Sequence, residues 1–167
     1  MPLLGPVDGD PVETPRRFFA DAMLGKLAKW LRILGCDVAF DPAISDRKIA
    51  YRGSREGRVI LTRDTLLIQR KEVRDNYFFV CGDSYQDQLR QVVAHFRIDP
   101  AEGLFTRCVR CNELLEEVPK PRVAGKVPPF VFRTQRSFGS CARCGRIYWK
   151  GTHWEEMERH RKEMLGL

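Results

Sequence analysis

Cys108-Val109-Arg110-Cys111 and Cys141-Ala142-Arg143-Cys144 are the residues whose spacing dictates chemistry most directly. Two C-x2-C pairs supply four thiolates, the number that closes a tetrahedral zinc shell. Two intervening residues let both sulfurs of a pair face one ion. Each pair is followed by a residue that tolerates the positive φ of such a knuckle, Asn112 and Gly145. The 29 residues between the pairs exceed the roughly 15–20 of the commonest spacing. Within them, the Lys/Pro-rich stretch 120–129 reads as an elongated loop between two arms of a structural zinc ribbon. The competing chemistry is a pair of redox dithiols. The second C-x2-C does not open a helix after a strand, as redox motifs usually do, so that reading ranks last. His153 follows as a spare ligand, a nucleic-acid contact or a helix cap, but four cysteines already complete the shell.

Three aspartates form the second constellation, and its meaning depends on the elements that carry them. The apolar step 17–20 reads as a first strand ending at Asp21. Met23, Leu24, Leu27, Ala28, Leu31 and Leu34 then follow helical spacing, with Lys26, Lys29 and Arg32 elsewhere on the wheel and Gly35 as the stop. A second strand is expected over 36–40 and a helix over 46–56, with Ser45 as its N-cap and Gly57 at its end. The β-rich run 58–62 is a buried third strand that delivers Arg63 and Asp64. A partly helical crossover over 65–75, a fourth strand at 77–81 and a helix at 85–96 complete the unit. Alternating strands and helices imply an α/β fold, a parallel sheet covered by helices on both faces.

In such sheets reactive groups gather beyond the carboxyl ends of the strands. Asp21, Asp46 and Asp64 all fall on that edge. Converging carboxylates repel one another unless a cation sits among them, and hard oxygen ligands suit magnesium or manganese. Such a site could bind a phosphodiester and activate a water, with Lys26, Lys29 and Arg63 holding the polyanion. Each acid also fits a plainer role: Asp21 and Asp64 as caps, Asp46 as a first-turn acid favoured by the helix dipole. A fourth ligand is expected after the fourth strand, where Asp83 and Asp87 are both available and each also fits a cap or surface role.

The chain has 167 residues, 43% hydrophobic and 31% charged, the composition of a soluble globular protein with room for one ordinary domain and a small one. We expect a tail at 1–15, the α/β domain at 16–104, and the ribbon with a C-terminal helix at 105–167. No apolar run is long enough for a membrane span, and the N-terminus lacks the pattern of a secretory signal. Cys36 and Cys81 look like buried free thiols, which with four zinc ligands favours the cytoplasm. The net charge is +7 and uneven: residues 105–150 hold ten Lys/Arg against three Asp/Glu. Arg110, Arg143, Arg146 and Lys150, on and beside the knuckles, are the candidate phosphate contacts there. Aromatics interleave with these bases, which fits stacking on a nucleic acid as well as a small ribbon core. For most of the rings we favour the core. The helix at 154–165 reads as a mostly solvated face, with Trp154, Met157 and Met164 available for packing.

The segments 19–35, 57–64 and 148–153 resemble a known family: the PIN-like ribonuclease domain named for the C-terminal part of the Mut-seven exonuclease, joined in bacterial and archaeal members to a zinc ribbon. The resemblance covers about residues 17–155. It implies a PIN-like sheet and metal-dependent RNA cleavage by a cluster of acids. We expect RNA as the partner, with ribosomal and transfer RNA as candidates. Asp21 matches the acid after the first strand, Asp46 the acid opening the second helix, and Asp64 the acid of the Thr-Arg-Asp motif. The family's usual fourth acid has no clear match. The alternative function is a non-catalytic RNA- or ribosome-binding module with a degenerate acidic site.

Overall fold

The structure, a computed structural model, describes residues 17–167; the expected tail at 1–15 lies outside the described residues. Short apolar runs and helices alternate as β1 (Arg17–Ala20), α1 (Gly25–Ile33), β2 (Asp37–Ala39), α2 (Asp46–Glu56), β3 (Val59–Thr62), β4 (Tyr77–Phe79) and α3 (Tyr85–His95). The four strands pair in parallel in the order β2-β1-β3-β4. β3 is central and buried at all four residues, so it reads as a continuous apolar run.

Alternation along the strands divides the core between two faces. Phe19 and its register partner Ile60 pack with Ile49 and Ala50 of α2 and with Leu67 and Val73 of the crossover. On the other face, the rings of Phe18 and Phe78 meet Phe96 at the end of α3, with centroids 5.0 and 5.4 Å apart, and α1 packs against α3.

The periodic helix forms, with two corrections. Residues Ala22–Leu24 are a 3-10 turn, so the buried stripe begins at Leu24 and Met23 is 68% exposed. Arg32, which falls off the apolar stripe of the wheel, is nonetheless buried and clamps the Val38 carbonyl with Nε and Nη2 at 2.9 and 2.8 Å. A long side chain can bury its stem when its head finds an acceptor. Gly35 ends the helix at φ 87°, and a Cβ there would lie 2.2 Å from the Gly103 carbonyl oxygen, so no other residue fits. Ser45 holds the N-cap position of α2, but its hydroxyl makes no cap bond. Gly53 lets α2 lie close on β3: a Cβ would come within 2.7 Å of Ile60 Cδ1. Cys36 and Cys81 are half-buried rather than buried. The Cys81 amide and carbonyl are both held by the Gln91 side chain, at 3.0 and 2.8 Å.

The chain divides into two compact units after Phe105. In the second, β5 (Leu115–Val118), β6 (Phe138–Cys141) and β7 (Ile147–Tyr148) form an antiparallel sheet in that order. The expected elongated loop is instead folded, with a 3-10 turn at Lys120–Val123 and α4 at Pro129–Thr134. Val123 and Val127 are buried with Phe138 in a small core, and a proline opens the short helix where an amide is not needed. α5 (Thr152–Leu165) closes the chain. Its Arg161 is buried rather than solvated and grips Glu158 with two bonds of 2.8 and 2.7 Å. Among the described residues no helix is long and apolar enough to cross a membrane.

Candidate functional site

The ends of β1 and β3 are joined by one polar unit. Asp21 follows β1 directly, is 4% exposed, and donates its amide to the Leu61 carbonyl at 3.0 Å. Its Oδ1 accepts from the Met23 amide at 2.8 Å and caps the 3-10 turn. Its Oδ2 accepts from the Thr62 hydroxyl at 2.5 Å and from the Arg63 amide at 3.1 Å. Thr62, the fully buried last residue of β3, accepts in turn from the Asp64 amide at 2.9 Å. Asp64 Oδ1 accepts from the amides of Leu66 and Leu67 at 2.7 and 3.4 Å.

Asp21 and Asp64 therefore do cap, as the plainer role of each anticipated. Capping does not exhaust them. A carboxylate offers about four acceptor directions. Three donors reach Asp21, and both donors to Asp64 reach Oδ1, so its Oδ2 has no partner among the described residues. In a sheet of order β2-β1-β3-β4 the connections diverge between β1 and β3, the switch point beyond whose carboxyl ends open α/β sheets place their ligands. The Asp21–Thr62–Asp64 unit lies at this switch point. From the sequence Thr62 reads only as the end of a strand; the signal for its role is a polar residue closing an otherwise apolar buried run.

Asp46 lies half-exposed in the first turn of α2, on the same edge but one strand away. Among the described residues, the group of three or more His, Cys, Asp or Glu side chains able to hold one ion is the four cysteines; the three acids share an edge without closing to that distance. Asp83 is 94% exposed and bonds Arg63 Nη2 at 2.6 Å, while Asp87, in the first turn of α3, pairs with Arg90. Arg63 is thus engaged by an acid on this edge. Lys26 is exposed with its ammonium 5.6 Å from the Tyr85 ring centroid, and Lys29 is exposed on α1.

The cysteine centre is built by two matching knuckles. In each, the first cysteine's amide reaches the carbonyl five residues on, Cys108 to Glu113 at 2.8 Å and Cys141 to Arg146 at 3.0 Å. The amides of Asn112 and Gly145 return to the Cys108 and Cys141 carbonyls at 2.8 Å, both from positive φ, 68° and 70°. All four sulfurs lie within 4.8 Å of one another, and Cys108 and Cys144 are 3.8 Å apart. A tetrahedral ion with Zn–S bonds of about 2.3 Å sets its sulfurs about 3.8 Å apart. The cluster therefore fits zinc.

Burial pushes the Cys108 thiol up, but the Tyr148 hydroxyl at 3.1 Å and the amides of Cys111 and Arg110 outweigh it and bring it down to about 7. Cys111 goes the other way, pushed up to about 12 by desolvation and then by the Cys144 and Cys108 sulfurs. Desolvation likewise raises Cys141. The thiols oppose one another's ionisation, which is the repulsion a dication removes. His153 is exposed, 3.8 Å from Glu156, and stands outside the sulfur cluster. Arg110, Arg143, Arg146 and Lys150 are exposed; Arg143 lies 3.9 Å from Glu113 and Lys150 Nζ lies 5.2 Å from the Trp154 ring centroid.

No curated protein and no solved structure matches the chain. A family model described as Mut7-C RNAse domain matches residues 16–161 and so extends over both compact units. The chain belongs to the Mut7-C RNAse domain family.

Proposed function

We propose that this chain is a metal-dependent ribonuclease in which residues 16–104 cut and the zinc ribbon of residues 105–167 grips RNA. The observation that carries the reading is the Asp21–Thr62–Asp64 unit at the switch point of the parallel sheet. Asp64 Oδ2 and the remaining acceptor of Asp21 are oxygen donors suited to magnesium or manganese, with Asp46 completing the acidic edge. A bound ion would supply Lewis-acid stabilisation and an activated water for phosphodiester hydrolysis. Thr62 holds Asp21 at the edge, and the Asp64 cap fixes the start of the crossover. Lys26, Lys29 and Arg63 would hold phosphate, with Arg63 exchanging its Asp83 partner for the substrate. We also place the protein in the cytoplasm, on its cysteine usage.

One observation favours a second reading, a non-catalytic RNA- or ribosome-binding module: both edge acids are already used as caps and the three acids do not close around one point. Cleavage of a mixed pool of single-stranded and structured RNA with added manganese separates the two. We expect cutting by the zinc-loaded wild type and none by Asp21→Asn/Asp64→Asn, with RNA binding kept by both. Equal cutting by both would place the chemistry elsewhere. No cutting by either, with equal RNA binding, would leave the binding module standing.

A further inference from the structure

From Val118 to Trp154 the chain carries eight Lys/Arg residues and no Asp or Glu. Most rings between the two ends of this stretch are engaged. Phe138 is buried, Phe132 and Trp149 pack against its core, and Tyr148 bonds Cys108. Phe130 is the exception, 67% exposed. It follows Pro128 and Pro129 in the first turn of α4, with Arg133 exposed three residues on and so on the same side of the helix. The segment that leads into it is folded: Val123 and Val127 are buried, while Arg122 and Lys126 are exposed.

A single exposed ring is ordinary on a protein surface. Charge is what names its occupant. An acid-free stretch of chain with exposed bases and an exposed ring on a proline-stiffened turn complements a polyanion that presents flat, unpaired faces. We propose that Phe130 is a stacking platform for an unpaired base of single-stranded RNA, with Arg133, Arg122 and Lys126 neutralising the neighbouring phosphates. This deepens the reading of the second unit as the RNA-gripping part and rests on it. It also adds contacts beyond the knuckle residues Arg110, Arg143, Arg146 and Lys150.

The test is anisotropy binding of the zinc-loaded full chain to an unstructured single-stranded oligoribonucleotide and to a duplex RNA. Removal of one base–aromatic stack corresponds to a loss of about tenfold in affinity. Phe130→Ala and Phe130→Leu should both lose this factor on the single strand and change little on the duplex. Arg133→Gln should weaken both ligands and lower the slope of log affinity against log salt by about 0.7 on the single strand. Unchanged single-strand affinity in Phe130→Ala overturns the platform. Full affinity in Phe130→Leu does so too, since it marks the ring as a general apolar contact suited to a protein partner. A wild type that fails to cut RNA yet loses single-strand affinity on Phe130→Ala would sink the nuclease reading and uphold the platform.

Discussion

The two units of this chain reach a fold by different physics. The first holds twenty-two buried hydrophobic side chains among the described residues, the second six, and two of those six are the ligand cysteines Cys108 and Cys141. Residues 106–167 lie in the size range where an apolar core alone rarely suffices and a metal or a disulfide supplies the difference. The first unit therefore does not depend on the polar groups at its sheet edge for its core, which leaves them open to the proposed chemistry. The second spends its most reactive side chains on holding itself together. A sulfur cluster that fits a structural zinc marks one, and an oxygen-bound ion is proposed as chemistry in the other.

The comparison breaks most visibly on zinc removal. A structural zinc centre contributes about 10–16 kcal/mol of apparent binding energy at neutral pH. Chelation, or Cys141→Ser, should therefore open the second unit to proteolysis and hydrogen exchange while the helices of the first keep their protection. Equal loss in both units would contradict the division. The converse variant is Leu31→Ala, at a site with no exposure. It should destabilise the first unit by about 3 kcal/mol in denaturant melts and leave bound zinc at one equivalent per chain.

A smaller effect sharpens the account of the metal centre. Tyr148→Phe keeps the ring and removes the hydroxyl that bonds the Cys108 sulfur at 3.1 Å. Zinc affinity in a chelator competition should fall about tenfold.

The smallest effect belongs to the far edge of the sheet, where Arg58 bonds Glu56 and Asp37, each at 2.6 Å. Burial raises the Glu56 carboxyl, but its bonds to Arg58 and Arg52 outweigh that and hold it below the usual carboxylate range. A carboxylate depressed by folding stabilises the fold above its unfolded value and loses that contribution as pH falls through the folded one. Glu56→Gln should therefore melt below the wild type at pH near 6, with the gap closing in acid. A gap that persists at low pH would assign the effect to packing.

The sheet and its acids were legible because their signals are periodic. Leu27, Leu31 and Leu34 declare one helix face, Val59 to Thr62 a buried strand, and Gly35 and Gly57 the stops. From that order alone, Asp21, Asp46 and Asp64 fall on one edge. The knuckles were legible from spacing, down to the positive φ at Asn112 and Gly145. What stayed hidden depends on tertiary partners. Arg32 and Arg161 look like surface charges until the Val38 carbonyl and Glu158 appear beside them. The fold of the spacer rests on Val123, Val127 and Phe138 with Val131 and Phe132 packed against them, too few and too scattered to show a period. Thr62 gains meaning only when β1 and β3 are side by side, since its partner Asp21 is 41 residues away.

The most direct test of the central claim, an oxygen-ligated metal site at the β1–β3 switch point distinct from the sulfur centre, is a manganese titration of the zinc-loaded chain followed by electron paramagnetic resonance. The account predicts saturable manganese binding by the wild type. Asp64→Asn should abolish it with zinc content and fold unchanged. Identical manganese binding by the wild type and Asp64→Asn, or no binding by either, would contradict the claim.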